Sequence, residues 1–467
     1  MRSIRIIRFR TIGYLLVLAV GAMPAGCARY RANPPLDSWD HTRPLLSMGR
    51  SSKTDSALIL LAFSGGGTRA AALSYGVLEE LRDTHVEVDG QNLRMVDQVD
   101  VISGVSGGSF TAAYYGLFGD RTFEDFESRV LRRNLQRDLW RRLLNPYNLL
   151  RLASPHFNRS DLAAEYYDSK IFDRKAIGNF ADLAGPAILI NATDFVRGSR
   201  FAFIREYFDP ICSDLLEYPV SRAVAASSSV PGPFPPLKLR NHAGTCGYKE
   251  PPWIAQTLET DTSHGRRYIE ARLAASYLDR TEGNDIYLVD GGLTDNLGIR
   301  GTFDRVIKDG GISEMLDTAG REEVNQILII LVNAQTEPDL DFDRGSFFQS
   351  LALMAGVSAG IQIRRFNYET IELVRNSFQQ WAELRSHRGH PIDFRMVEIS
   401  FSQIRDGETR RYFNNLPTSL ALPESAVLRL REAGRNLLRE STDFQEAVKI
   451  LQSGRVRASG LRRNSAD

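Results

Sequence analysis

Two hydrophobic patterns alternate along the chain. Ser56–Phe63, Ala187–Ala192, Asp285–Val289 and Gln326–Asn333 are short, near-continuous apolar runs, the pattern of strands buried on both faces. Gln98–Ile102 predicts a further strand, and Ser199–Arg205 another after a turn at Arg197–Gly198. Phe394–Phe401 alternates apolar and polar residues, as a strand with one covered face does. Between these runs apolar residues recur at helical spacing. Ala71–Arg82 places Leu73, Val77, Leu78 and Leu81 on one side, and Val220–Ser229, Thr302–Lys308, Ser350–Arg385 (one helix or two) and Glu424–Ser453 also read as helical. Arg121–Leu152 is mostly helical, with a break near Asn145–Pro146. Buried strands alternating with helices predict an α/β fold: a mostly parallel central sheet with helices on both faces.

The ends of the chain and one internal stretch depart from this pattern. Asn241–Gly283 is polar, with a helical patch at Tyr268–Leu278, and predicts a loop-rich surface insertion. The main unit is expected over 56–335, a mainly helical part packed on it over 336–453, and a disordered, basic tail over 454–467. Met1–Arg10 is basic and Thr11–Met23 is apolar but too short for a comfortable membrane span. Ala25-Gly26-Cys27 follows, small residues before a cysteine, which resembles the bacterial lipobox, with Pro24 where a leucine is usual. The expectation is a lipoprotein-type signal over 1–26, a lipid on Cys27 and a flexible tether over 27–55. That would anchor the protein on the periplasmic side of a bacterial envelope, and Ala28 after the cysteine favours the outer membrane. An ordinary cleaved signal and an uncleaved anchor are the alternatives.

Composition narrows the function by exclusion. A net charge of +1 on 467 residues gives no argument for nucleic acid, and no protein partner is indicated. Basic charge is local: Arg129, Arg132, Arg133, Arg137, Arg141 and Arg142 share an amphipathic helix with Val130, Leu131, Leu135, Leu139, Trp140, Leu143 and Leu144. That face is either solvated or in contact with anionic lipid headgroups. Of the three cysteines, Cys212 and Cys246 remain once Cys27 is set aside; they pair in an oxidising compartment or stay as two buried thiols. No cysteine or histidine spacing suits a metal, and no cofactor is expected.

The chemistry centres on Gly104-Val105-Ser106-Gly107-Gly108, between an apolar strand and the helix-like Thr111–Tyr115. This is the G-x-S-x-G nucleophile elbow in a strand–turn–helix setting, with Ser106 as nucleophile. Ester cleavage also needs a base, oxyanion donors and an acyl pocket. The seven histidines are scattered. His387 and His390, on a polar loop, are the best placed of them for a triad, but no core strand precedes them. Asp290 directly follows Ile286–Val289, at a strand's carboxyl end, and Gly291-Gly292 lets other backbone approach it. Gly65-Gly66-Gly67-Thr68-Arg69 lies between a strand and a helix and can offer a nest of N–H groups. A P-loop would need Gly-Lys-Ser/Thr, which is absent. The relaxed dinucleotide fingerprint fits Gly65, Gly67 and Ala70 only weakly, since the sequence shows no convincing strand before Asp89.

The order of these motifs, with Ala226-Ser227-Ser228-Ser229-Val230-Pro231-Gly232 and Asp290-Gly291-Gly292, resembles the patatin-like phospholipase family over roughly Ala57–Gly301. The resemblance implies a three-layer α/β/α fold and a Ser–Asp dyad without histidine. Ser106 would be the nucleophile, Asp290 the general base, and Gly65, Gly66, Gly67 and Thr68 the oxyanion donors. Arg69, Gly104, Gly107, Gly108, Gly291 and Gly292 would support the site, Arg69 by bracing the loop or by holding a headgroup phosphate. The family's glycine motif usually ends Gly-x-Arg-Gly. Ala70 follows Arg69 here, so a shifted helix start is expected. The implied substrate is a membrane phospholipid or other lipid ester. The alternatives are a non-catalytic lipid-binding envelope lipoprotein and, more remotely, a nucleotide enzyme using Gly65–Arg69.

Overall fold

The computed structural model describes residues 32–40, 42, 55–88, 90–261, 263, 265–280, 284–337 and 347–453. The expected signal segment, Cys27, most of the tether and the tail over 454–467 lie outside these residues. Ten strands are described: β1 (Ala57–Phe63), β2 (His85–Val88), β3 (Gln91–Arg94), β4 (Val101–Val105), β5 (Ala187–Asp194), β6 (Ser199–Ala202), β7 (Leu237–Arg240), β8 (Asp285–Asp290), β9 (Gln326–Asn333) and β10 (Asp393–Ser400). Eight form one sheet in the order β10-β9-β1-β4-β5-β8-β7, with β6 on β5, while β2 and β3 make a separate hairpin. The β10-β9-β1-β4-β5 run is parallel, and β6, β7 and β8 join antiparallel. Helices cover both faces, which gives three α/β/α layers.

The continuous apolar runs are the central strands, because a strand covered on both faces has no solvated side to fill with polar residues. All seven residues of β1 and all eight of β9 are buried. β4 begins three residues later than its pattern suggests. Met95–Gln98 forms a 3-10 turn, and the strand runs on through Gly104 and Val105 to the elbow. Asp100 fixes its start: Oδ2 accepts from the Ile59 N–H at 2.8 Å, and Oδ1 accepts from Arg321 at 2.9 Å.

The helices that matter for the site are α1 (Gly67–Asp83), α2 (Gly107–Phe118), α3 (Val220–Ser227), α4 (Pro252–Thr260), α5 (Arg266–Leu278), α6 (Gly292–Asp295), α7 (Arg300–Asp309), α8 (Phe347–His387) and α9 (Glu424–Glu440). α1 starts at Gly67, earlier than its apolar periodicity shows. Its first turn carries the glycine motif rather than core side chains. The Ser350–Arg385 region is a single helix, α8. The polar insertion is less loop-rich than expected, since α4 and α5 make up much of it. Tyr277 on α5 is buried, and its hydroxyl donates to Asp194 Oδ2 at 3.1 Å. Cys212 and Cys246 are joined as a disulfide that ties the insertion to the chain after β6.

The C-terminal part belongs to the core. β10 extends the main sheet, and α9 crosses α1 so closely that a Cβ at Gly76 would overlap the Arg431 carbonyl oxygen and one at Gly434 the Leu73 carbonyl oxygen. Arg431 binds Glu79 and Glu127, and Arg439 binds Glu80 at 2.6–2.8 Å, over the same contact. α9 thereby helps hold the helix whose first turn is the glycine loop. No helix among the described residues is long and apolar enough to cross a membrane.

Candidate active site

The parallel strands end in one row. Phe63 of β1 pairs with Gly104 of β4, and Val105 pairs with Asn191 of β5. One residue further along, Ala192 pairs with Asp290. Asp290 therefore lies at the carboxyl edge of the sheet, as its sequence position suggests. Its strand reaches that level running the opposite way, antiparallel to β5.

Ser106 follows β4 directly and starts α2, with φ 48°. A non-glycine residue in that region is strained, typically by ~1–3 kcal/mol, and persists only where its surroundings fix it. Those surroundings are the elbow glycines. A Cβ at Gly107 would overlap the Gly67 carbonyl oxygen, one at Gly108 would lie 2.5 Å from the Phe63 carbonyl oxygen, and one at Gly104 would lie 2.8 Å from the Ser109 Cα. Two helix N-termini and a strand end thus meet at van der Waals distance only because three side chains are missing. The Ser106 N–H donates to Ser227 Oγ at 2.8 Å, and Ser227 Oγ donates to the Asn191 carbonyl at 2.6 Å.

The Ser106 hydroxyl donates to Asp290 Oδ2 at 2.8 Å. Asp290 Oδ1 accepts from the Gly292 N–H at 2.8 Å, so one carboxylate oxygen is tethered and the other faces the serine. The Asp290 N–H bonds to the Ser229 carbonyl and the Gly291 N–H to the Ser227 carbonyl, at 2.9 and 3.1 Å. The serine run before Val230-Pro231-Gly232 thus frames both residues. Gly291 is required by close approach, since a Cβ there would overlap the Asn191 carbonyl oxygen. Burial pushes the Asp290 carboxyl up to about 6, against smaller lowering by the Gly292 and Ser106 hydrogen bonds. No cation contributes to that balance.

The histidine candidates lie elsewhere. His85 is on β2, His156 precedes the helix that starts at Arg159, His242 follows β7, and His387 and His390 lie at and beyond the end of α8. His41 and His264 fall outside the described residues. Among the described residues no cluster of His, Cys, Asp and Glu is arranged to hold a metal.

The glycine loop differs from expectation in which amides it leaves available. The Gly65 N–H donates to the Asn296 carbonyl at 2.9 Å, and the Thr68 N–H donates to the Ser419 carbonyl at 2.8 Å. Both are engaged by the protein and do not face the site as donors. Gly66 and Gly67, at φ 142° and 60°, have no such partner among the described residues. Those angles are open to glycine and disfavoured for other residues. Arg69 is buried and fully used: Nε donates to the Ala334 carbonyl, Nη1 to the Leu416 carbonyl and Nη2 to Thr418 Oγ1, at 2.9, 2.6 and 3.0 Å. It braces the loop and does not reach for a headgroup.

Asn191, Ser227, Asn296 and Ser419 are absent from the sequence-derived set. Asn191 and Ser227 had a legible signal, a polar residue closing an apolar strand and the first serine of a triple. Asn296 and Ser419 had none. A cleft of about 1130 Å³ opens beside the Asp290 loop, walled by Leu293 and Thr294, by Ile269 and Leu273 of α5, and by Phe366 of α8. The insertion, through α5, thus walls a cleft next to the Asp290 loop, and neither Ser106 nor Asp290 lines that cleft.

No curated protein matches the sequence. Among solved structures the chain is similar, at 13% identity, to human GIVD cytosolic phospholipase A2; it covers 86% of this chain and 61% of that one, with a TM-score of 0.42. The same enzyme in complex with methyl gamma-linolenyl fluorophosphonate gives 86% and 60%, with a TM-score of 0.43. The chain thus spans about three fifths of the length of those structures. Over residues 61–303, more than half of the chain, the sequence matches the model of the family described as patatin-like phospholipase, and the protein belongs to that family.

Proposed function

We propose that the protein is a lipid acyl hydrolase of the phospholipase A or lysophospholipase type that works through a Ser106–Asp290 dyad. The observation that carries this reading is the 2.8 Å hydrogen bond from the Ser106 hydroxyl to a buried carboxylate whose other oxygen is already tethered. A carboxyl raised to about 6 is still ionised at neutral pH, yet it is a stronger base than an exposed aspartate.

In the first half-reaction Ser106 Oγ attacks the acyl carbonyl carbon while its proton passes to Asp290 Oδ2. The resulting oxyanion is held by the Gly66 and Gly67 N–H groups and by the positive end of α1 behind them; each such donor typically lowers the barrier by about 3 kcal/mol. The carbon–alkoxide bond then breaks, and the departing oxygen takes the proton from Asp290. In the second half-reaction Asp290 accepts a proton from water, whose oxygen attacks the acyl-serine. Collapse returns the proton to Ser106 Oγ and releases the fatty acid. The Asn191–Ser227–Ser106 hydrogen bonds hold the nucleophile's backbone throughout.

We further propose attachment to a bacterial envelope through a lipid on Cys27, which would keep the enzyme at its substrate. The test is product analysis by mass spectrometry on a mixed phospholipid panel. The wild type should release fatty acid and lysolipid, and Ser106→Ala neither. Equal release by folded Ser106→Ala refutes the reading.

A further inference from the structure

The arginine-rich stretch of the sequence has no place in the chemistry above. It is not one helix: Val130 and Leu131 are buried in a turn before Leu135, and beyond Leu139 the structure leaves several of its apolar side chains uncovered. Leu135–Leu143 and Pro146–Leu152 form two short helices joined at Asn145. Only Leu135 of the first is buried, and nothing of the second. Trp140 (55% exposed), Leu144 (68%), Tyr147 (69%), Leu149 (50%) and Leu150 (48%) project into solvent within one short stretch.

Apolar and polar side chains both turn toward the protein here: Leu135 is buried and Leu139 packs on the core, Asp138 accepts from the Tyr166 hydroxyl at 2.6 Å, Arg142 lies over the Tyr166 ring, and Arg151 binds Glu165 while stacking on Phe157 at 4.0 Å. The outward side presents Arg137, Trp140, Arg141 and Leu144, one helical turn apart in pairs. Residues 133–151 carry five arginines against one aspartate.

We propose that this helical pair is the surface by which the protein seats on a lipid bilayer bearing anionic headgroups. Three observations select that occupant. The exposed set mixes tryptophan and tyrosine with leucine, the composition of side chains that settle at a bilayer interface. The outward arginines, Arg137 and Arg141, complement anionic headgroups, and their long side chains can reach them while the leucines insert. The chain just beyond the pair is also hydrogen-bonded to the loop that frames the dyad. Asn158 and Ser160, just beyond the pair, donate to the carbonyls of Pro236 and Pro235 at 3.1 and 2.5 Å. That loop begins at exposed Val230, next to the serines that hold Ser106 and Asp290. The proposal stands apart from catalysis, because it concerns binding alone.

The experiment uses the full chain carrying Ser106→Ala, so that the vesicles are not consumed. Vesicles are made with brominated acyl chains, either phosphatidylcholine alone or equimolar with phosphatidylglycerol. Tryptophan fluorescence should be quenched more by the anionic vesicles. Trp140→Phe should remove the quenched component, and Arg137→Glu with Arg141→Glu should weaken the apparent vesicle affinity at least about tenfold. In the Ser106 background the same surface variants should hydrolyse a soluble short-chain ester at the wild-type rate, which separates a failed docking surface from a failed fold or a failed hydrolase. Quenching that survives Trp140→Phe unchanged, or equal affinity for neutral and anionic vesicles, overturns the proposal. So does a self-association in solution that Leu144→Ser abolishes, which would assign the face to a second copy of the chain.

Discussion

Asp290→Asn should make the protein more stable and inactive at once, and the gain in stability should depend on pH. Asparagine keeps the shape of the carboxylate and can still accept one hydrogen bond, but it cannot take a proton from Ser106. Burial raises the Asp290 carboxyl from its ordinary 3.8 to about 6 in the folded protein. The folded state therefore holds this proton more tightly than the unfolded one. Below about pH 3.8 both states are protonated and the residue costs nothing. Between about pH 3.8 and 6 the unfolded state ionises first, and the folded protein loses stability as pH rises. Above about pH 6 both are ionised and the cost is constant, ~3 kcal/mol on conversion of that difference.

Thermal or denaturant unfolding of wild type and Asp290→Asn across this range should give curves that nearly meet at acid pH and separate toward neutrality. The variant should be the more stable by ~3 kcal/mol above about pH 6. In parallel, kcat/KM of the wild type on a soluble ester should fall as pH drops through about 6, because the protonated carboxyl cannot act as base. The variant should lose ~10³-fold or more in kcat. A stability difference that does not change with pH would refute the burial argument. Wild-type turnover by Asp290→Asn would refute the assignment of the base.

Two further perturbations follow from the geometry. Gly107→Ala sets a methyl group against the Gly67 carbonyl oxygen, so the N-termini of α1 and α2 must separate; unfolding should show a loss of about 1–3 kcal/mol or more, with hydrolysis abolished, whereas an unchanged melting temperature and rate would contradict the close contact. The Cys212–Cys246 bridge spans 34 residues, a loop whose closure is worth ~3–4 kcal/mol in the chain-entropy view. Cys212→Ser with Cys246→Ser should lower the melting temperature and remove its sensitivity to reductant, and a reductant-insensitive wild type would argue against the bridge.

The parts of this protein legible in sequence are those fixed by local pattern. β1, β5 and β9 announce themselves because strands buried on both faces must be apolar throughout. Ser106, Asp290 and the glycine loop announce themselves because tight turns restrict residue type. The β2–β3 hairpin did not, since its two four-residue strands are short and largely polar. The reversed direction of β8 is also invisible, because a buried strand reads alike in either sense. The division of labour among the loop amides could not be read locally at all. Gly65 and Thr68 are indistinguishable from Gly66 and Gly67 until Asn296 and Ser419 arrive from distant parts of the chain to occupy them. Arg69 shows the same limit: its three acceptors, Ala334, Leu416 and Thr418, decide that it braces the loop.

The central claim is that Ser106, activated by Asp290 alone, is the nucleophile. Treatment of the folded protein with a fluorophosphonate, followed by peptide mass spectrometry, tests it most directly. One phosphonyl group should appear on the peptide that contains Ser106, no label should appear in Ser106→Ala, and labelling should be strongly slowed in Asp290→Asn. Absence of label on the folded wild type, or a label on another residue that persists in Ser106→Ala, would contradict it.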